Sequence, residues 1–120
     1  MQNFRELKVW EKAHELTLAV YRITESFPAR EQFGLTSQIR RSCASVPTNI
    51  AEGCGRSSRA EFAHFLHVAA GSARELEYQL LLVRDLGLVS PVDHEQLDDR
   101  VTELKRMLSS LIRTLQTAKN

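Results

Sequence analysis

Glu11 and His14, and again Glu61 and His64, stand three residues apart. At that spacing a carboxylate and an imidazole share one face of a helix. Two such pairs on alternate helices of a bundle, completed by further carboxylates, are how di-iron and di-manganese centres are built. Glu52 and Glu103 are the acids that could complete such a site. The geometry works against it. At about 100° per residue His64 points roughly opposite the apolar positions of its segment, and Glu61, three residues after Ser58, fits a capping box. Glu52 and Glu103 also fall off their apolar faces. The expectation is solvated surface pairs and no metal.

Other chemistries have less to stand on. Serines, cysteines and histidines are scattered with no pattern that fixes a base beside a nucleophile. "EGCGRSS" is glycine-rich, but it follows a helical segment, whereas phosphate and dinucleotide loops follow a strand. Cys43 and Cys54 are about 16 Å apart if their segment is helical, beyond the roughly 7 Å limit between disulfide Cα atoms. Buried free thiols are expected, and no enzymatic activity and no cofactor.

The stretch "RRSCASVPTNIAEGCG", residues 40–55, poses a sharper question. Pro47 has no N–H to give the carbonyl of Cys43, and its ring crowds that carbonyl, so a helix through it is expected to bend. Ala44, Ser45, Thr48, Ala51 and Gly53 are small enough to admit another backbone, and Asn49 and Glu52 supply polar groups off the apolar face. A kink with close packing at Pro47, Asn49, Glu52 and Gly53 is the expected use. Arg40, Arg41, Arg56 and Arg59 flank this segment, and guanidinium forks suit phosphate oxygens. They are the candidate nucleic-acid contacts. The competing role is ion pairing, such as Arg56 with Glu52 at i,i+4. No aromatic residue interleaves with these arginines along the chain, which counts against base stacking.

The elements that must position these residues read as four helices. The first runs from Phe4 to about Glu25 after a capping Asn3, and Phe27-Pro28 stops it. The second runs from about Leu35 to Glu52, with Gly53 and Gly55 expected to supply its C-terminal turn. The third opens at Ser58 and continues to Leu86-Gly87. The fourth opens with Ser90-Pro91 and carries a seam of Leu97, Val101, Leu104, Leu108, Leu111 and Leu115. Strand signals are weak throughout. The economical arrangement is an antiparallel up-down-up-down four-helix bundle.

Apolar surface exceeds what one bundle interior needs. The first helix carries one stripe from Val9, Ala13, Leu16, Val20, Ile23 and Phe27 and another from Leu7, Trp10, Leu18 and Tyr21; Leu80 to Val83 puts bulky groups nearly all round the third. A homo-oligomer is expected, with Leu7, Trp10, Leu18 and Tyr21 at its interface.

Composition bounds the rest. The 120 residues suit one domain, 1–120, and 42% hydrophobic with 26% charged residues is ordinary for a globular chain. A net charge of only +1 provides no global field for a polyanion, so nucleic-acid binding would need a local patch or patches pooled by several subunits. No apolar run approaches the roughly 20 residues that span a bilayer, and the first residues are too polar to begin a secretory signal. A cytoplasmic protein without a membrane partner is expected.

"FRELKVWEKAHEL", "GLTSQIRRS", "VPTNIAEGCGR" and "EFAHFLHVAAGSARELEYQL", in that order and spacing, resemble the four-helix bundle proteins encoded by intervening sequences within bacterial 23S ribosomal RNA genes. The likeness covers roughly residues 4 to 90. It implies a cytosolic, non-enzymatic bundle assembled as a homopentameric ring, in keeping with the surplus stripes. The fold is also similar to the accessory variability determinant of diversity-generating retroelements, which works with nucleic acid. Two functions follow as expectations: an RNA-associated accessory protein, or a protein-binding oligomeric scaffold.

Overall fold

A computed structural model describes residues 3–117, and among them the chain forms four α-helices, two short 3-10 turns and no strand. The helices are α1 (Lys8–Thr24), α2 (Leu35–Cys54), α3 (Arg59–Asp85) and α4 (Pro91–Thr117). α1 packs on α2 and α4, and α3 packs on the same two. The core lies on their common axis, where Leu16, Ile39, Ile50, Leu66, Leu80 and Leu104 are almost wholly removed from water. Each such side chain contributes about 1.5–3 kcal/mol of burial.

The first helix begins later than its sequence suggests. Phe4–Glu6 is a separate 3-10 turn, capped by Asn3, whose side chain accepts the Arg5 N–H at 3.1 Å. Leu7 is extended (φ −85°, ψ 126°) and separates this turn from α1. The break lets the Phe4 ring meet Trp10 edge-on at 4.9 Å. Residues six apart in one continuous helix would lie about 120° from each other around the axis and could not touch.

The other ends follow local chemistry. Ser58 Oγ accepts the Glu61 N–H and Ser90 Oγ accepts the Asp93 N–H, each at 3.1 Å. α3 closes with Leu88 N–H on the Val83 carbonyl and Gly87 N–H on that of Arg84, both 2.9 Å, around Gly87 at φ +77°. That pattern needs a left-handed residue, and glycine adopts it without strain. On α4 the buried seam leaves Leu111 for Ile112, because a 3.5-residue repeat drifts around a helix of 3.6 residues per turn.

Of the two glycines expected in the C-terminal turn of α2, Gly55 forms it, its N–H donating to the Glu52 carbonyl at 3.1 Å, and Gly53 does not. Gly55 ends α2 with a right-handed φ of −82°, open to any residue. Gly53 lies inside α2, buried, and a β-carbon there would stand 2.8 Å from Phe62 Cδ1 and 3.0 Å from Phe65 Cβ. Its use is the close approach of α3.

Pro47 is buried within α2, which continues on both sides of it. The Cys43 carbonyl, deprived of its helical donor, has the Thr17 hydroxyl of α1 at 3.4 Å; the same hydroxyl donates to the Ala13 carbonyl at 2.8 Å. Thr17→Val should therefore lower stability by about 1–2 kcal/mol. In a Pro47→Ala background, where residue 47 regains its own N–H, the same change should lose roughly half of that effect. Urea unfolding of the four proteins measures the coupling, and strictly additive losses would reject it.

Candidate nucleic-acid interface

Arg40 is tied to the last turn of α1. Its Nε donates to Thr24 Oγ1 at 2.8 Å, its Nη2 donates to the Tyr21 carbonyl at 3.2 Å, and its guanidinium lies 4.7 Å from the Tyr21 ring centroid. Thr24 Oγ1 in turn donates to the Val20 carbonyl at 2.8 Å. A cation at a helix C-terminus also meets the negative end of the dipole. Arg40 thus links α1 to α2 and lies over the Tyr21 ring. Arg41, exposed, donates from Nη2 to Ser37 Oγ at 3.0 Å, one turn earlier on α2.

These residues border an open groove of about 700 Å³, whose walls include Tyr21, Phe33, Thr36, Ser37, Arg40 and Arg41. Phe33 is 93% exposed and Tyr21 41%. No aromatic interleaves with the arginines along the chain, yet folding places rings beside them. Helix pairing brings Tyr21 to Arg40, and the short connection before α2 brings Phe33 to the same groove. Neither neighbour is adjacent in sequence. Phe33 and Thr36 were not singled out from the sequence; the only signal was an aromatic residue placed in a connection beside Gly34 instead of on a helix.

Arg56 and Arg59 lie elsewhere. Arg56 lies just past the C-terminal end of α2, an end about 21 Å along the helix from Arg40; it is paired with Glu52 at 2.7 Å, and its guanidinium is 4.7 Å from the Phe65 ring centroid. Arg59, exposed, opens α3. The four candidate arginines form two groups, one at each end of α2.

Of the polar residues around the proline, the serines reach α3 and Asn49 braces one of them. Asn49 Nδ2 donates to the Ser45 carbonyl at 2.8 Å and to Ser45 Oγ at 3.0 Å, and Ser45 Oγ meets Ser72 Oγ of α3 at 2.8 Å. One turn earlier Ser42 donates to Gln79 of α3 within the buried interface. Asn49 is thereby part of a polar seam between α2 and α3. Glu52, with its Arg56 partner, borders a second groove shared with Trp10, His14, Pro47 and Ala51.

Of the interface candidates, Leu7 and Trp10 are half-buried against their own chain, and Leu18 and Tyr21 are exposed. Trp10 stacks on His14 with ring centroids 4.9 Å apart. Glu11 pairs with Lys8 at 3.3 Å, and Glu61 is joined to Ser58. Among the described residues no group of three or more His, Cys, Asp or Glu is gathered where a metal could sit. Both cysteines are free and buried. Burial pushes the Cys43 thiol up to about 11, against a smaller lowering from its contact with Thr17, and burial raises Cys54 as well. Among the described residues no helix is long and apolar enough to cross a membrane.

Comparison with curated proteins finds no match. Among solved structures, a protein of unknown function from the S23 ribosomal protein family of Bacteroides thetaiotaomicron is similar over 88% of this chain and 96% of its own, with 29% identity and a TM-score of 0.82. The family model described as "23S rRNA-intervening sequence protein" matches residues 5–110, nearly the whole of the four helices built above. On that match, the chain belongs to the 23S rRNA-intervening sequence protein family.

Proposed function

We propose that this protein is a non-enzymatic, cytoplasmic, homo-oligomeric bundle that associates with RNA, its subunits arranged antiparallel, up-down-up-down, and joined in a pentameric ring. The observation that carries the RNA reading is the groove that places Arg40 and Arg41 beside Tyr21 and Phe33. Cations there would neutralise phosphates while the rings offer stacking surfaces. The antiparallel order is supported by cross-helix pairs: Glu77 meets Lys105 at 2.7 Å and His67 meets Gln116 at 3.3 Å, so one number falls as the other rises. Oligomerisation is supported by apolar groups left in water, Leu18 on α1 and Val68, Tyr78 and Leu81 on α3. With a net charge of +1 per chain, a ring would multiply the basic grooves that one copy has singly.

A second reading, a scaffold that binds another protein, is favoured by the same exposed apolar groups. Light scattering separates the two. The RNA reading expects a mass near five times 13.7 kDa, gaining a short ribosomal RNA fragment at low salt and losing it at high salt. Leu18→Glu should reduce the mass toward a helical monomer. An oligomer that ignores RNA at both salt concentrations would sink the RNA reading in favour of the scaffold.

A further inference from the structure

α4 carries charges that its own chain leaves unanswered. On one side Lys105 pairs with Glu77 of α3 at 2.7 Å, and on the other Glu103 pairs with Lys12 of α1 at 3.5 Å. Arg106, at about 100° per residue, points between those two sides and away from the bundle. Glu95, Asp99 and Arg113 fall within about 20° of the same direction, and all four side chains are exposed. Among the described residues none of the four has a hydrogen-bond or ion-pair partner for its side chain.

The stripe is ordered by sign, with the acids in its first half and the arginines in its second. The helix dipole favours that order only within the first and last turns. Asp99 and Arg106 lie about two and three turns inside the ends of α4, so the dipole does not account for them. Glu95, Asp99 and Glu103 also stand at successive i,i+4 steps, where like charges weaken an isolated helix. A stripe of this kind is complemented by one of reversed order. The same stripe turned end for end has that order.

We propose that the outer face of α4 pairs antiparallel with the same face of a second copy of this chain, about a two-fold axis near residue 103. Such a contact uses one self-complementary patch on both copies. Reversal about that point sets Asp99 opposite residue 107 and Glu95 opposite residue 111 of the other copy. Those positions are within about two residues, or 3 Å of rise, of Arg106 and Arg113. Two cross-pairs form from each copy. Glu103, nearest the axis, approaches its own counterpart, but its charge is already met by Lys12. Beside the stripe, between α4 and the start of α1, runs an open groove of about 750 Å³ with Leu7, Met107 and Leu111 half-buried in its walls. Val92 of the other copy, 64% exposed, falls opposite Thr114 in that groove and adds apolar contact. Exposed ion pairs are individually weak and screened by salt, so the contact is salt-sensitive. It is separate from the apolar faces of α1 and α3 and from the arginine groove of α2.

The test is disulfide cross-linking of the full chain under a mild oxidant, read on non-reducing gels. Thr102→Cys places a thiol beside the axis, within the roughly 7 Å that a disulfide spans, while Cys43 and Cys54 are buried and do not compete. It should cross-link readily at low salt and about ten times more slowly at high salt. Ser110→Cys is exposed on the same helix but about 21 Å along the axis from its own counterpart, and should react at least ten times more slowly. Equal rates at the two positions would mean random collision and overturn the contact. Asp99→Arg or Arg106→Glu, each added to Thr102→Cys, should slow the reaction about tenfold. An equal mixture of those two proteins should regain it as a mixed dimer, because each supplies the charge that the other has lost. That recovery also shows that both variants are folded. Loss in both without recovery would reject the antiparallel pairing, and no loss in either would show that these charges do not direct it. An oligomeric protein whose Thr102→Cys variant fails to cross-link at low salt would overturn the proposal and leave assembly to the faces of α1 and α3.

Discussion

Gly53→Leu is expected to lower the unfolding free energy by about 3 kcal/mol, the upper end of what overpacking a close contact does. The sign is not automatic, because any residue other than proline gains up to about 1 kcal/mol over glycine in helix propensity. Contact geometry decides it. Even a bare β-carbon at residue 53 would stand 2.8 Å from Phe62 Cδ1 and 3.0 Å from Phe65 Cβ. The Phe62 ring could rotate away. The Phe65 β-carbon is bonded directly to the α3 backbone, so relief requires α3 itself to move. Gly53→Ala should then be destabilising by about 1 kcal/mol despite its better propensity, and adding Phe62→Leu should recover part of that loss by vacating the nearer contact. Urea unfolding of the single and double variants reads the result. An Ala variant more stable than wild type would mean that the helices close on this glycine less tightly than described.

Alkaline pH should expose the second large effect, at Cys43. Its thiol ionises near 11 in the folded chain because the buried site disfavours the thiolate, against an ordinary value of 9.0. In the pH range between those values the unfolded chain releases this proton while the folded chain keeps it. Folding stability attributable to the thiol is therefore complete below about 9 and falls as pH rises toward 11, by on the order of 2–3 kcal/mol. Cys54 is raised by burial in the same direction and adds to the slope. Cys43→Ala should be less stable than wild type at neutral pH, because it leaves a small cavity, yet lose less stability on going from pH 8 to pH 10.5. Parallel losses for the two proteins would show that the Cys43 thiol is not the group responsible. Thiol-specific alkylation at pH 8 provides a second readout: Cys43 should react slowly in the native state and quickly in urea.

The helices were legible because their ends and faces are local. Ser58 with Glu61 and Ser90 with Pro91 mark two starts by side-chain chemistry within four residues, and the structure opens α3 and α4 there. The stripe through Val9, Ala13, Leu16 and Val20 is buried along its length. Where local signals misled, a tertiary contact had overridden them. Asn3 caps a turn, but the extended Leu7 ends that turn, and Phe4 then meets Trp10. Gly53 reads as a turn residue until Phe62 and Phe65 of another helix are placed against it.

The candidate site was legible in part. Arg40 and Arg41 stood out by type, and the Arg56–Glu52 pair by its i,i+4 spacing. What those arginines meet did not. Arg40 finds Thr24 and Tyr21, 16 and 19 residues away, and its groove includes Phe33 and the unsatisfied Thr36. A propensity or a period describes one helix and its own faces, so the sequence alone determined four amphipathic helices, their caps and their buried stripes. Only the tertiary structure decided which ring lies over which guanidinium, which glycine admits another helix and which buried hydroxyl lacks a partner. Those depend on the offset and rotation of one helix against the next, set by the fit of the whole core and not by any residue's neighbours in the chain.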